Sequence, residues 1–221
     1  MDTQSYVEEL IKRFKKAYPN VKCALNHSNP FELLIATILS AQCTDERVNI
    51  VTSNLFKKYR TPADYLKVSH DELANDIKSV SFFNNKARNI QKTAKKLIDN
   101  FGGEVPRTMD ELLTLDGVAR KTANVVLGDA FGIAEGIVVD THVARLAQRL
   151  GLSKNKTPEK IEKDLMQIVP RQYWILFSHW LINHGRKICN ARKPKCEECF
   201  LNDICPYYKQ YVADATNDAL R

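Results

Sequence analysis

Four of the six cysteines, Cys189, Cys196, Cys199 and Cys205, fall in one short window near the C-terminus, separated by six, two and five residues. Four close thiolates suit a tetrahedral zinc ion or a 4Fe-4S cluster, with a redox disulfide as the remaining alternative. No basic n-region or apolar h-region follows Met1, so no export signal is expected, and a reducing compartment disfavours disulfides. Between the first two cysteines lie Arg192, Lys193 and Lys195. These cations can offset an anionic metal site and contact phosphate, although a solvated basic loop has the same composition. Cys23 and Cys43 have no close Cys or His neighbour in sequence and read as buried small hydrophobes.

The segment Leu112 to Leu127 reads as helix, tight hairpin, helix, with Gly117 at the turn. Backbone N–H groups at such a hairpin and at the start of its second helix point outward as free donors, which suits a phosphate. An ordinary helical hairpin fits the same pattern. Taken singly, Lys121 at a helix start reads as solvated surface, and Asp140 before Thr141-His142-Val143 reads as an N-cap.

The elements that must position these groups are helical. Tyr6, Leu10, Phe14 and Ala17, joined by Val7 and Ile11, make one amphipathic stripe over 5–18. Similar stripes run through Phe31 to Leu39, through Val48, Val51, Leu55 and Phe56, and from Ala87 to Phe101. Helix starts punctuate them: Thr61-Pro62 and Thr157-Pro158 put Pro at N1, while Ser69 with Glu72 and Thr108 with Glu111 have capping-box spacing. About ten helices are predicted. Seven of the eight glycines lie between Gly102 and Gly151, so the tightest turns belong to the middle of the chain. Gly136 to Val139 reads as extended loop, and His179, His184, Trp174 and Trp180 read as helix packing.

The chain has 221 residues, 44% hydrophobic and 27% charged, with a formal charge of +7. These fractions exclude wholesale disorder, and no apolar run is long enough for a transmembrane helix. The basic balance suits a polyanionic partner without identifying one.

The run Leu115-Asp116-Gly117-Val118-Ala119-Arg120-Lys121-Thr122-Ala123-Asn124, followed by Val139-Asp140-Thr141-His142-Val143-Ala144-Arg145, resembles the helix-hairpin-helix and Asp-terminated loop of the endonuclease III family of DNA glycosylases. The likeness covers nearly the whole chain, and the cysteine spacing matches the family's 4Fe-4S site. Two departures stand in the hairpin. Asp116 replaces the usual Pro and puts an acid beside the phosphate site. Ala119 replaces the usual Gly, at a cost of roughly 1 kcal/mol if its φ must be positive.

The resemblance implies roles for individual residues. Lys121 would attack C1′ of deoxyribose as a neutral amine, expel the base and leave a Schiff base that permits β-elimination. An ordinary lysine is mostly protonated near neutral pH, so the site must depress its pKa, deprotonate it during attack, or both. Asp140 would stabilise positive charge developing on the sugar and assist proton transfer. Gly117, Ala119 and Arg120 of the hairpin, with His142, would meet DNA phosphate. Gln42, in Leu39-Ser40-Ala41-Gln42-Cys43, matches the residue that enters the space left by a flipped nucleotide. Phe82, in Phe82-Phe83-Asn84-Asn85-Lys86, stands where an apolar tip wedges into the duplex, with Ser81 in place of a frequent Gly and Phe83 as the competing neighbour.

The expectation is therefore an all-α, two-lobed helix-hairpin-helix DNA glycosylase and abasic-site lyase of base excision repair. It would act as a monomer on double-stranded DNA, take oxidised pyrimidines as the implied substrate class, and carry a C-terminal 4Fe-4S cluster loop. Residues 22–132 would form the lobe with the hairpin, 1–21 with 133–211 the cluster lobe, and 212–221 a disordered tail. No targeting signal is seen, and the expected location is the cytoplasm, associated with the nucleoid, if the source is prokaryotic. The alternatives are a monofunctional mismatch glycosylase, against which length and Lys121 speak, and a non-catalytic iron-sulfur DNA-binding or redox protein, which would need no Lys121 and Asp140 pair.

Overall fold

The computed structural model describes residues 2–210, so the expected tail at 212–221 lies outside the described residues. Eleven α-helices and one 3₁₀ turn run between Thr3 and Lys187, and no strand occurs among the described residues. Contacts divide the chain into two compact units, Cys23–Glu135 and the residues that flank it on both sides.

The continuous unit holds α2 (Pro30–Ser40), α3 (Asp45–Lys58), α4 (Pro62–Lys67), α5 (His70–Asp76), α6 (Phe83–Phe101), α7 (Met109–Leu113) and α8 (Arg120–Phe131). Helix α2 is apolar nearly all round, so it must be enclosed on every side. Residues Leu33, Leu34, Ile35 and Leu39 have no exposed surface, and burying each contributes about 1.5–3 kcal/mol. The helix packs against α3, α6 and α8. Its start is fixed by Pro30 at N1 and by Asn29, whose side chain accepts the Glu32 amide. Helix α6 buries one stripe, Ala87, Ile90, Thr93, Ala94 and Leu97, and stops at Gly102, whose φ of 62° only glycine adopts without strain.

The discontinuous unit holds α1 (Thr3–Ala17), α9 (Thr141–Arg149), α10 (Pro158–Ile168), the turn Arg171–Tyr173, α11 (Trp174–Lys187) and the cysteine loop. Its core joins Val7, Leu10, Ile11 and Phe14 of α1 to Val143, Leu146 and Ala147 of α9 and to Phe177, Trp180 and Leu181 of α11. The Phe14 and Trp180 rings stack with centroids 6.2 Å apart. Phe177 and Phe200 meet the Phe14 ring edge-on, arrangements that the ring quadrupoles favour.

The helix starts expected at Thr61, Ser69, Thr108 and Thr157 are all occupied as N-caps. Residues 137–139 form no regular structure, yet Ile137 and Val139 are buried, so this loop is an anchored one. The two isolated cysteines differ from expectation. Cys23 and Cys43 are half-buried, because each lies in a loop whose other side reaches solvent.

Candidate DNA-repair site and cluster loop

In the hairpin between α7 and α8, Gly117 takes the left-handed conformation with φ of 76°, and a Cβ there would meet Asn89 Nδ2 at 3.0 Å. Both the dihedral and the neighbour demand glycine. Ala119 overturns the strain expectation: its φ is −99° and ψ 171°, ordinary extended backbone, because the left-handed step is taken entirely by Gly117. As N-cap of α8, Ala119 offers no side-chain acceptor, so capping does not compete with an anion for the first amides of α8. Gly117, Ala119, Arg120 and Lys121 are all exposed, and Lys121 is the second residue of the helix.

Asp116 is not an isolated acid beside this anion site. Lys96 Nζ lies 2.8 Å from its Oδ2 and Lys92 Nζ 3.9 Å from its Oδ1. The Lys96 contact is an ion pair rather than a directed hydrogen bond. Thr93 Oγ1 donates to the Asp116 carbonyl at 2.9 Å, and Lys96 also donates to the Thr114 carbonyl at 2.6 Å. Helix α6 thus neutralises and pins the turn.

In the same unit, Gln42 follows the end of α2 with φ of 54°, and Phe82 precedes α6 with φ of 56°. Phe82 is 65% exposed, whereas Phe83 packs against the core. The two neighbours that the sequence left in competition therefore face opposite ways.

In the discontinuous unit, Asp140 is the N-cap of α9. Its Oδ1 accepts both the His142 and Val143 amides at 2.8 Å, and the cap uses that one oxygen. His142 is half-buried, with Arg145 Nη2 3.1 Å from its Nδ1. Burial lowers its pKa, a shift that the Asp140 charge opposes and those of Arg145 and Arg186 reinforce.

The four cysteines line one pocket, together with Arg149, His184, Leu146 and Leu201. Arg149 Nη1 donates to Cys189 Sγ at 3.2 Å and to the Asn190 carbonyl at 2.8 Å, while Nη2 donates to the Ala191 carbonyl at 2.9 Å. Arg145 braces the Cys189 and Gly185 carbonyls. His184 Nε2 lies 3.3 Å from Cys199 Sγ, and its Nδ1 lies 2.9 Å from the Tyr18 hydroxyl. Burial pushes the His184 pKa down to about 4, so the ring is neutral. Sequence reading took His184 for packing and passed over Arg145 and Arg149. The one available signal was their placement, five and nine residues after Asp140 on a single helix.

These residues fit an iron-sulfur cluster. Burial, followed by the charges of the other cysteines, raises the Cys199 thiol to about 11 and raises Cys196 and Cys205 as well. A cationic centre stabilises thiolates that burial disfavours in this way. Among the described residues no three Cys, His, Asp or Glu side chains close around a single ion. Arg192, Lys193 and Lys195 are exposed on the same loop.

Residues 35–171 match the HhH-GPD superfamily base excision DNA repair proteins, and residues 189–205 match the iron-sulfur binding domain of endonuclease III. Endonuclease III of Synechocystis is 54% identical over 90% of this chain and 90% of its own. The Bacillus subtilis enzyme is 50% identical over 90% and 91%. A solved structure of a trapped endonuclease III–DNA covalent intermediate is 48% identical, covers 96% of this chain and all of its own, and superposes with a TM-score of 0.89. With such likeness in both units, and with the hairpin and cysteine loop built as described, the chain belongs to the endonuclease III family of base excision repair enzymes, bifunctional DNA glycosylases and abasic-site lyases that carry a 4Fe-4S cluster.

Proposed function

We propose that Lys121 and Asp140 carry the chemistry, on oxidised or saturated pyrimidines flipped out of double-stranded DNA. The supporting observation is that a relative 48% identical forms a trapped covalent intermediate with DNA, which requires a nucleophilic side chain. Lys121 supplies an exposed amine directly after the phosphate-binding hairpin.

The Lys121 amine adds to C1′ as the glycosidic bond breaks, and the base departs with the bonding electrons and a proton. One amine proton passes to O4′ as the C1′–O4′ bond breaks and the sugar ring opens, leaving a protonated imine between Lys121 and C1′. Removal of a C2′ proton then expels the 3′ phosphate by β-elimination, which breaks the strand. Asp140 stabilises the cationic sugar through its carboxylate and can relay the protons. Binding of its Oδ1 to two amides fixes the orientation of the group.

The hairpin amides and Arg120 hold a phosphate, and His142, Arg192, Lys193 and Lys195 extend the backbone grip. Gln42 and Phe82 enter the duplex around the extruded nucleotide. The cluster, when bound, ties the loop of residues 189–205 together through four thiolate–iron bonds. No helix among the described residues is long and apolar enough to cross a membrane, and the reading includes action as a monomer on chromosomal DNA in the cytoplasm. Borohydride trapping on abasic DNA, with glycosylase assays on a panel of paired lesions, tests both halves of the activity. A covalent adduct formed by wild type and lost in Lys121→Ala is expected, and release of a base without any adduct would favour a monofunctional enzyme.

A further inference from the structure

Only two residues other than glycine among the described ones have left-handed backbones, Gln42 and Phe82. Such a conformation costs an L-residue about 1–2 kcal/mol and persists only where surrounding bonds over-determine it. Here those bonds come from Lys86 and Ser81, which flank Phe82 in sequence. The Lys86 amide donates to the Phe82 carbonyl at 3.0 Å. The Lys86 Nζ donates to the Leu39 carbonyl at 2.8 Å and to the Ala41 carbonyl at 2.6 Å. Ser81 Oγ donates to the Gln42 carbonyl at 2.9 Å.

Lys86 is 5% exposed, an unusual place for an ammonium group. Burial lowers its pKa, and the nearby Cys43 opposes that shift. The acceptors are carbonyls at the C-terminal end of α2, where the helix dipole favours a cation. A methionine could fill the same space without the desolvation cost, so the amine's distinctive contribution is to bridge segments 45 and 47 residues apart in sequence.

We propose that Lys86 is a positioning residue that locks the Gln42 and Phe82 turns into one rigid unit, with Ser81 as a second tie, so that both side chains enter DNA in a fixed relation. The proposal rests on the reading of Gln42 and Phe82 as duplex-entering residues. A pre-formed pair loses its orientational freedom on folding rather than at the encounter with DNA, which lowers the barrier to unstacking a paired base. A hydroxyl at position 81 adds a tie that glycine could not make.

The test uses the full-length, cluster-loaded enzyme under single-turnover conditions, with one lesion placed either in fully paired DNA or in a short unpaired bubble. Lys86→Met keeps the stem and removes the donors. Excision from paired DNA should fall by about tenfold or more, the scale of a lost hydrogen bond to a charged group, while the bubble substrate is cut at the wild-type rate. Ser81→Ala, a change at an exposed site, should shift the paired rate in the same direction by a smaller factor. Gln42→Ala and Phe82→Ala should be non-additive in the wild-type background and additive with Lys86→Met.

Equal loss on paired and bubble DNA would make Lys86 merely a support of the fold and overturn the proposal, as would a wild-type paired rate in Lys86→Met. If Gln42→Ala and Phe82→Ala each leave paired excision unchanged, the failure lies instead in the reading of those two side chains. Should Lys86→Met not fold, the same coupling is measured in Ser81→Ala. Undiminished coupling there overturns the lock, and reduced coupling supports it.

Discussion

Arg149 Nη1 lies 3.2 Å from Cys189 Sγ, and the same guanidinium sits 4.4 Å from the centre of the Tyr207 ring. An N–H donor and a positive charge beside a ligand sulfur favour the more electron-rich state of an iron-sulfur centre. Arg149→Met should therefore shift the cluster's reduction potential to more negative values in voltammetry of the free protein. An unchanged potential with full iron content would mean that the contact only packs the loop.

Lys121→Ala should abolish borohydride-trapped complexes and leave affinity for lesion DNA nearly intact. Asp140→Asn separates two duties, because asparagine is also a good N-cap. Its stability cost should stay within about 1 kcal/mol, whereas excision should slow by about 10²–10⁴. Chemical denaturation and single-turnover rates measure the two effects. A rate that fell no further than the stability explains would leave Asp140 as a cap alone.

His142 makes stability depend on pH. Its folded pKa lies below the ordinary value of 6.5, so below that pH the unfolded chain binds protons that the folded chain resists. Stability is lost as pH falls from 6.5 toward the folded pKa. His142→Gln should make the decline in denaturation midpoint over this window shallower. An identical slope in the two proteins would show that the ring titrates alike in both states.

The Asp116 contacts predict an unusual salt response. Asp116→Asn should release Lys92 and Lys96 from their acid partner, tighten binding to undamaged duplex and steepen log K against log salt by up to about 0.9 for each new phosphate contact. Titrations across a range of salt concentrations check this. A slope equal to wild type would mean that both lysines remain turned away from DNA.

Arg192, Lys193 and Lys195 should behave in the opposite sense. Replacing all three with Ala should flatten the salt slope and weaken damaged and undamaged DNA by similar factors, because phosphate contacts carry no sequence information. Loss of lesion discrimination alone would assign this loop to base recognition.

Local chemistry made much of this fold legible in the sequence. Ser69 with Glu72 and Thr108 with Glu111 cap helices through bonds three residues apart, so their composition announces them. The cysteine spacing is likewise local. Ala119 was misjudged because a dihedral is shared among the residues of a turn, and Gly117 absorbed the left-handed step. The pinning of Asp116 by α6 and the reach of His184 to Cys199 depend on chain packing that no short motif encodes. Lys86 drew no reading of its own within the run from Phe82, and only the fold brings the end of α2 to its amine.

The split of one compact unit across the two ends of the chain governs how the polypeptide is made. Helix α1 emerges before the middle unit, with Val7, Leu10, Ile11 and Phe14 belonging to a core whose other members begin after residue 136. At about 5–20 residues per second, synthesis of the intervening unit takes on the order of ten seconds. That middle unit holds its own core and can close in the interval. The apolar stripe of α1 must wait in solvent meanwhile, which makes the nascent helix a target for chaperone capture and its docking a late event in folding.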